Sequence, residues 1–274
     1  MECRLRDIKM YYEEAGEGRP LLLLHGMPLD HRSMANDMEP LFSNRQGWRR
    51  LYPDLPGMGK TRAADWITHQ DQMLDLVIDF IDKVIPGERL VVAGASYGAY
   101  LARGLVHHRS PQVDGMFLWV PLIETEAAKL QLPQHLVVHE DLAFLAALKP
   151  DEQDMKEFIV AQSMDVLTTS RQFINPAVEI ADQEFLGRLN QQRAFSFDVD
   201  ALPAPFPAPT LILAGRQDNW VGYREAYKLL DNYPRASFAV LDRAGHALSS
   251  EQKTLFRALA NEWLDRVEEY ALIT

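Results

Sequence analysis

The segment Leu90-Val91-Val92-Ala93-Gly94-Ala95-Ser96-Tyr97-Gly98-Ala99-Tyr100 constrains the fold more than any other part of the chain. Its Val-rich apolar run reads as a buried strand. The run stops at a serine with glycine two residues to either side, and a helix-compatible stretch follows at once. Small residues at those places permit a strand-to-helix turn too tight for side chains, which leaves the Ser96 hydroxyl exposed at the corner. The start of the next helix would aim backbone N–H groups at negative charge forming beside it. Such a corner suits attack on a carbonyl. The bare Gly/Ser pattern arises by chance in about one chain in ten of this length, so the rest of the sequence must support it.

The surrounding pattern does so. Residues 2–14 hold two short strand-like pieces, and Leu21–Leu24 reads as a buried strand ending at His25-Gly26. Residues 33–42 are weakly helical, and Arg50-Leu51-Tyr52 is a strand feeding a Pro/Gly loop, Pro53–Gly59. Apolar residues from Ile67 to Ile85 recur at helical spacing, and Pro86-Gly87 ends that helix. A helix over 97–108 and a strand over 115–120 follow. Strand alternating with helix predicts an α/β fold, a mostly parallel eight-stranded sheet with helices on both faces. From 125 to 202 the strands give way to amphipathic helical pieces (124–129, 141–148, 151–166, 179–190). This stretch is expected to be an inserted helical cap on a core formed by 1–124 and 203–274. The Pro-rich segment Leu202–Pro209 reads as a stiff return linker. Alternation then resumes with strands near 210–213 and 237–241, a helix over 222–232 and a closing helix marked by Phe256, Trp263 and Val267.

Composition narrows the function. A chain of 274 residues with 47% hydrophobic content can bury a substantial core. A net charge of −11 argues against nucleic acid and anionic membrane as partners. Cys3 is the sole cysteine, so neither an intrachain disulfide nor a cysteine-based zinc site is expected. That usage, with no apolar leader at the N-terminus, points to a cytoplasmic protein. No metal and no cofactor are expected. The anticipated partner is a small-molecule substrate, and a homodimer is compatible with the sequence.

In a parallel α/β sheet, ligands meet the carboxyl ends of the strands. His25, Asp54, Ser96 and Pro121 all follow predicted strands and so share one rim. A serine hydroxyl needs a base within hydrogen-bond reach, and the base needs an orienting acid. Of eight histidines, His246 alone lies in a Gly-containing loop after a late strand, in Asp242-Arg243-Ala244-Gly245-His246. The alternative is an exposed loop histidine. For the acid, Asp218 follows the strand at 210–213; a plain turn or helix-cap aspartate is the competing reading. Glu124 and Asp242 are rival positions. An oxyanion would need two backbone donors, for which Tyr97 and Met27 are the candidates.

These pieces together make the chain resemble the α/β-hydrolase superfamily, in its serine esterase, carbon–carbon hydrolase and haloperoxidase-like branches. The matching segments, in family order, are His25-Gly26-Met27-Pro28-Leu29-Asp30, Asp54–Thr61, Gly94-Ala95-Ser96-Tyr97-Gly98, Gly215-Arg216-Gln217-Asp218 and Gly245-His246. The resemblance implies Ser96 as nucleophile, Asp218 as acid, His246 as base, and Met27 and Tyr97 as oxyanion donors. Two departures stand out. Gly57-Met58-Gly59-Lys60-Thr61 replaces the G-H-G-x-S of many relatives, and position 96 is not the aspartate of dehalogenases and epoxide hydrolases.

His25, Trp119 and Trp220 are expected near the substrate. The predicted function is hydrolysis of a small, fairly apolar carboxylic ester or amide through an acyl-enzyme on Ser96. The alternatives are carbon–carbon hydrolysis of a dienoate-type ketone, cofactor-free perhydrolase or haloperoxidase-like chemistry, and a non-catalytic ligand-binding role. The dienoate reading requires a carboxylate clamp, so Arg103, Arg171, Arg188 or Arg193 near the pocket would favour it.

Overall fold

A computed structural model describes residues 1–273. The order is β1 (Glu2–Leu5), β2 (Ile8–Ala15), β3 (Arg19–Leu24), α1 (His31–Met38), β4 (Trp48–Pro53), α2 (Gln70–Val84), β5 (Leu90–Ala95), α3 (Tyr97–Arg109) and β6 (Val113–Trp119). Short helices follow: α4 (Leu142–Ala147), α5 (Met155–Phe158), α6 (Met164–Thr169), α7 (Asn175–Ile180) and α8 (Gln183–Leu189). The chain then runs through β7 (Thr210–Gly215), α9 (Arg224–Lys228), β8 (Ala236–Leu241), α10 (Leu248–Glu251) and α11 (Lys253–Ala271). The eight strands form one sheet in the order β1-β2-β4-β3-β5-β6-β7-β8. β1 and β2 pair antiparallel, as do β2 and β4; the remaining pairs are parallel. This is the α/β-hydrolase fold that the alternation predicts.

The central strands are apolar throughout because both of their faces are covered. Successive leucines of β3 point to opposite sides. Leu22 and Leu24 join a core with Leu74, Phe80 and Leu101, on the α2/α3 side. Leu21 and Leu23 join a second core with Met34, Phe256 and Trp263, on the α1/α11 side. All four leucines are fully buried, and each contributes about 2 kcal/mol of apolar burial. The α2 helix starts at Gln70, later than the apolar spacing suggests, because His69 caps it in a reciprocal box with Gln72.

Between β6 and β7 the chain crosses the carboxyl-end rim of the sheet. Phe144, Ile159, Val166 and Leu167 pack there as a small separate core, whereas Phe185, Leu186 and Leu189 merge into the main one. The helix expected over 151–166 is interrupted. After α5 the chain runs extended: Ala161 bridges His139, and the N–H groups of Val160 and Ala161 donate to Glu251. A carboxylate from the end of the chain thus takes donors that a helix would have used internally. Among the described residues, no helix is long and apolar enough to cross a membrane.

Candidate active site

Ser96 stands on the turn between β5 and α3 with φ 49° and ψ −110°. A positive φ costs a non-glycine residue about 1–3 kcal/mol unless its surroundings enforce it. They do. The Ser96 N–H donates to the Trp119 carbonyl at 3.0 Å, and its carbonyl accepts from the N–H groups of Ala99, Tyr100 and Leu122. Gly98 is required by close packing, since a Cβ there would lie 2.0 Å from the Leu24 carbonyl oxygen. The corner is therefore locked against the ends of β3 and β6.

His246, in the loop after β8, points Nε2 at Ser96 Oγ at 3.1 Å and Nδ1 at Asp218 Oδ2 at 2.9 Å. Asp218, in the loop after β7, is fully buried. Its other oxygen accepts from the N–H groups of Trp220 and Val221 at 2.9 and 3.1 Å. Asp218 thus makes both kinds of contact: one oxygen caps a turn and the other meets the imidazole. An ionised carboxylate can only accept, so Nδ1 carries the proton and Nε2 is left to accept from the serine hydroxyl. Trp220 lies beside the imidazole, with ring centroids 5.1 Å apart, and Phe158 of α5 packs on its indole at 4.7 Å. The rival acids lie elsewhere: Glu124 accepts from the Glu126 N–H, and Asp242 is exposed.

Met27 lies in the loop after β3. A Cβ on neighbouring Gly26 would approach Ser96 Cβ to 3.3 Å, so this loop abuts the serine. Tyr97 opens α3, and a first-turn N–H has no intrahelical acceptor. Its phenol is buried and donates to Gln70 Oε1 at 2.6 Å. His25, expected at the pocket, is instead fully buried beneath it. Its Nε2 accepts from the Leu55 N–H at 3.0 Å and its Nδ1 donates to the Gly26 carbonyl at 2.9 Å. Burial lowers its pKa and keeps the ring neutral, so it splices the ends of β3 and β4 rather than touching ligand. Trp119 and Trp220 both line the cavity, the first nearly buried and the second 55% exposed.

The cavity beside Ser96 measures ≈ 270 Å³. Met155, Phe158, Ile159, Val166, Ile174 and Val178 form its apolar wall from the segment between β6 and β7. Of the phenylalanines in this segment, Phe158 is in the wall, whereas Phe144 and Phe185 are packed in cores. The sequence reading missed a polar side of the cavity, made by Ser33, Asn36 and Asp37 on α1 and by Ser249 and Ser250 on α10. Its only signal was that Ser33, Met34 and Asp37 fall on one helical face. Among the described residues, no lysine or arginine lines the cavity. Arg103 is buried against Asp200 and the Leu122 carbonyl, Arg171 pairs with Glu152, and Arg188 pairs with Glu184; Arg193 lies outside the lining.

Below the rim, Asp30, His31 and Asp54 cluster closely. Their atoms are already engaged: Arg32 chelates Asp30, while Asp54 accepts from the His31 N–H and ring and from the Lys60 N–H. Burial raises the Asp54 pKa, but these donors outweigh it and hold the carboxyl below its usual range. The cluster ties α1 to the 54–61 loop.

Comparison with known proteins agrees with this architecture. A profile of the alpha/beta hydrolase family matches residues 21–258. The chain is 24% identical over 267 residues to 2-hydroxy-6-oxo-6-(2'-aminophenyl)hexa-2,4-dienoic acid hydrolase of Metapseudomonas resinovorans, covering 94% of this chain and 88% of that one. It is 21% identical to the pimeloyl-[acyl-carrier protein] methyl ester esterase of Legionella pneumophila (strain Paris), covering 94% and 100%. An alpha/beta superfamily hydrolase from Oenococcus oeni PSU-1 superposes with a TM-score of 0.86 at 28% identity, covering 98% and 99%. The strand order and the family profile, which spans most of the sheet, lead to one assignment: the chain belongs to the alpha/beta hydrolase family.

Proposed function

We propose that this chain is a serine hydrolase that cleaves a small, fairly apolar carboxylic ester through an acyl-enzyme on Ser96. The hydrogen-bonded line Ser96–His246–Asp218 at the wall of an apolar cavity carries the reading. Ser96 Oγ attacks the ester carbonyl carbon as His246 Nε2 takes its proton. The resulting oxyanion faces the N–H groups of Met27 and Tyr97, each worth about 3 kcal/mol in such a role. The imidazolium then protonates the departing alkoxide. In the second half, His246 deprotonates a water that attacks the acyl carbon, and Ser96 regains its proton as the acid leaves. Asp218 keeps the imidazole in the required tautomer and stabilises its charged form.

Dienoate hydrolysis, the activity named for several relatives, fits less well. A dienoate brings a carboxylate, and the cavity offers it no cationic side chain among the described residues. The decisive experiment is labelling by a fluorophosphonate with peptide mapping, alongside turnover of short p-nitrophenyl esters. Label is expected on Ser96, and Ser96→Ala should abolish turnover. Full activity in that variant would overturn the reading, and binding of esters without product release would point to a receptor instead.

A further inference from the structure

One carboxylate in the cavity lining stands apart from the Ser96–His246–Asp218 line. It is Asp37, near the end of α1 and partly buried. Asn36 Nδ2 donates to its Oδ1 at 3.2 Å, and Ser249 of α10 also hydrogen-bonds to it. A carboxylate has about four acceptor sites, so two neutral donors leave capacity for a ligand. The cations that act on it, Lys253 and Arg257 of α11, lie outside the lining, and Lys253 is engaged by Asp165. The other charged groups on neighbouring elements are paired: Arg49 with Glu14, Arg50 with Glu39, Arg171 with Glu152 and His31 with Asp54. Glu251 of α10 accepts from backbone N–H groups. Burial pushes the Asp37 carboxyl up to about 6 despite its donors, so it is ionised at neutral pH but incompletely solvated.

We propose that Asp37 is a specificity-determining residue: it receives a hydrogen-bond donor, above all a protonated amine, on the non-reacting end of the substrate, and it turns away molecules ending in a carboxylate. A poorly solvated anion with free lone pairs gains more from a charged donor than a hydrated surface carboxylate does. An anionic ligand end would face a like charge at short range with no cation in the wall to offset it. The proposal deepens the ester-hydrolase reading, since it takes the same cavity as the substrate site.

Binding calorimetry with benzylamine, benzyl alcohol and benzoate tests it without relying on turnover. At pH 7.5 the benzylammonium ion is expected to bind at least about tenfold tighter than benzoate, with the alcohol between them. Asp37→Asn should remove most of that difference, and Asp37→Ser serves the same purpose if the asparagine variant does not fold. At pH 5, where Asp37 is protonated, the wild-type preference should shrink more than the variant's; any titration common to both proteins cancels in that comparison. Benzoate binding as tightly as benzylammonium, or a preference untouched by both substitution and pH, would overturn the proposal. The expected order without ester turnover would sink the hydrolase reading and leave Asp37 standing. Turnover with no such order would do the reverse.

Discussion

At the scale of single residues, the site depends on which atom of each side chain is committed elsewhere. Asp218 is the clearest case. One oxygen is taken by two backbone N–H groups, so only Oδ2 can meet the imidazole. Asp218→Asn should keep the turn yet present an amide N–H to His246 Nδ1. That forces the proton onto Nε2, where it can no longer accept from Ser96. A fall in kcat on the order of 10⁴ is expected with little change in thermal midpoint; steady-state kinetics with a calorimetric melt checks it. That Ser96, Asp218 and His246 come to one rim was legible in the sequence, because each follows a strand and glycines accompany the turns. His25 was expected at the substrate, whereas the structure makes it a buried splint. Nothing local distinguishes an imidazole that faces a cavity from one that accepts a backbone N–H from thirty residues away.

Among elements, the junction between α10 and the 159–163 segment matters most. Glu251 accepts from Gly245, the neighbour of His246, and from Val160 and Ala161, which follow Ile159 of the cavity wall. Burial raises its pKa to about 6 even with those donors. Glu251→Ala would orphan three buried N–H groups and is expected to cost about 3 kcal/mol. Urea denaturation measures the loss. Hydrogen exchange should show faster opening of the amides of 160, 161 and 245 beyond the global change. This joint was invisible in sequence, because it couples positions some ninety residues apart through one carboxylate. For the same reason periodicity extended a helix through 151–166: it counts apolar spacing and has no knowledge of an acceptor arriving from α10.

For the whole molecule, acid-linked stability is a balance of opposing groups. Asp37 and Glu251 have raised pKa values, so the native state holds their protons more tightly, and their contribution falls as pH rises from about 4 to about 6. Fully buried His25 and surface-exposed His108 are shifted down and oppose them, because the unfolded chain binds protons there that the native state refuses. Asp37→Asn removes one falling contribution. Relative to wild type, the variant's stability should climb by about 2 kcal/mol across that window. Denaturant midpoints at several pH values test this, and a parallel pair of curves would contradict it. The sheet itself was legible because its central strands are apolar on both faces. The polar side of the cavity was not, because α1 is short and its few polar residues gain meaning only when α10 is set opposite them.

The order in which the rim is strung along the chain has a further result. The serine comes from β5, near the middle of the sheet, while the imidazole hangs from β8, the edge strand laid down last. A refolding or growing polypeptide can thus hold Ser96 on its corner, and most of its sheet, long before His246 arrives beside it. Recovered hydrolase activity should lag recovered circular dichroism, which would make turnover a report on closure of that final edge.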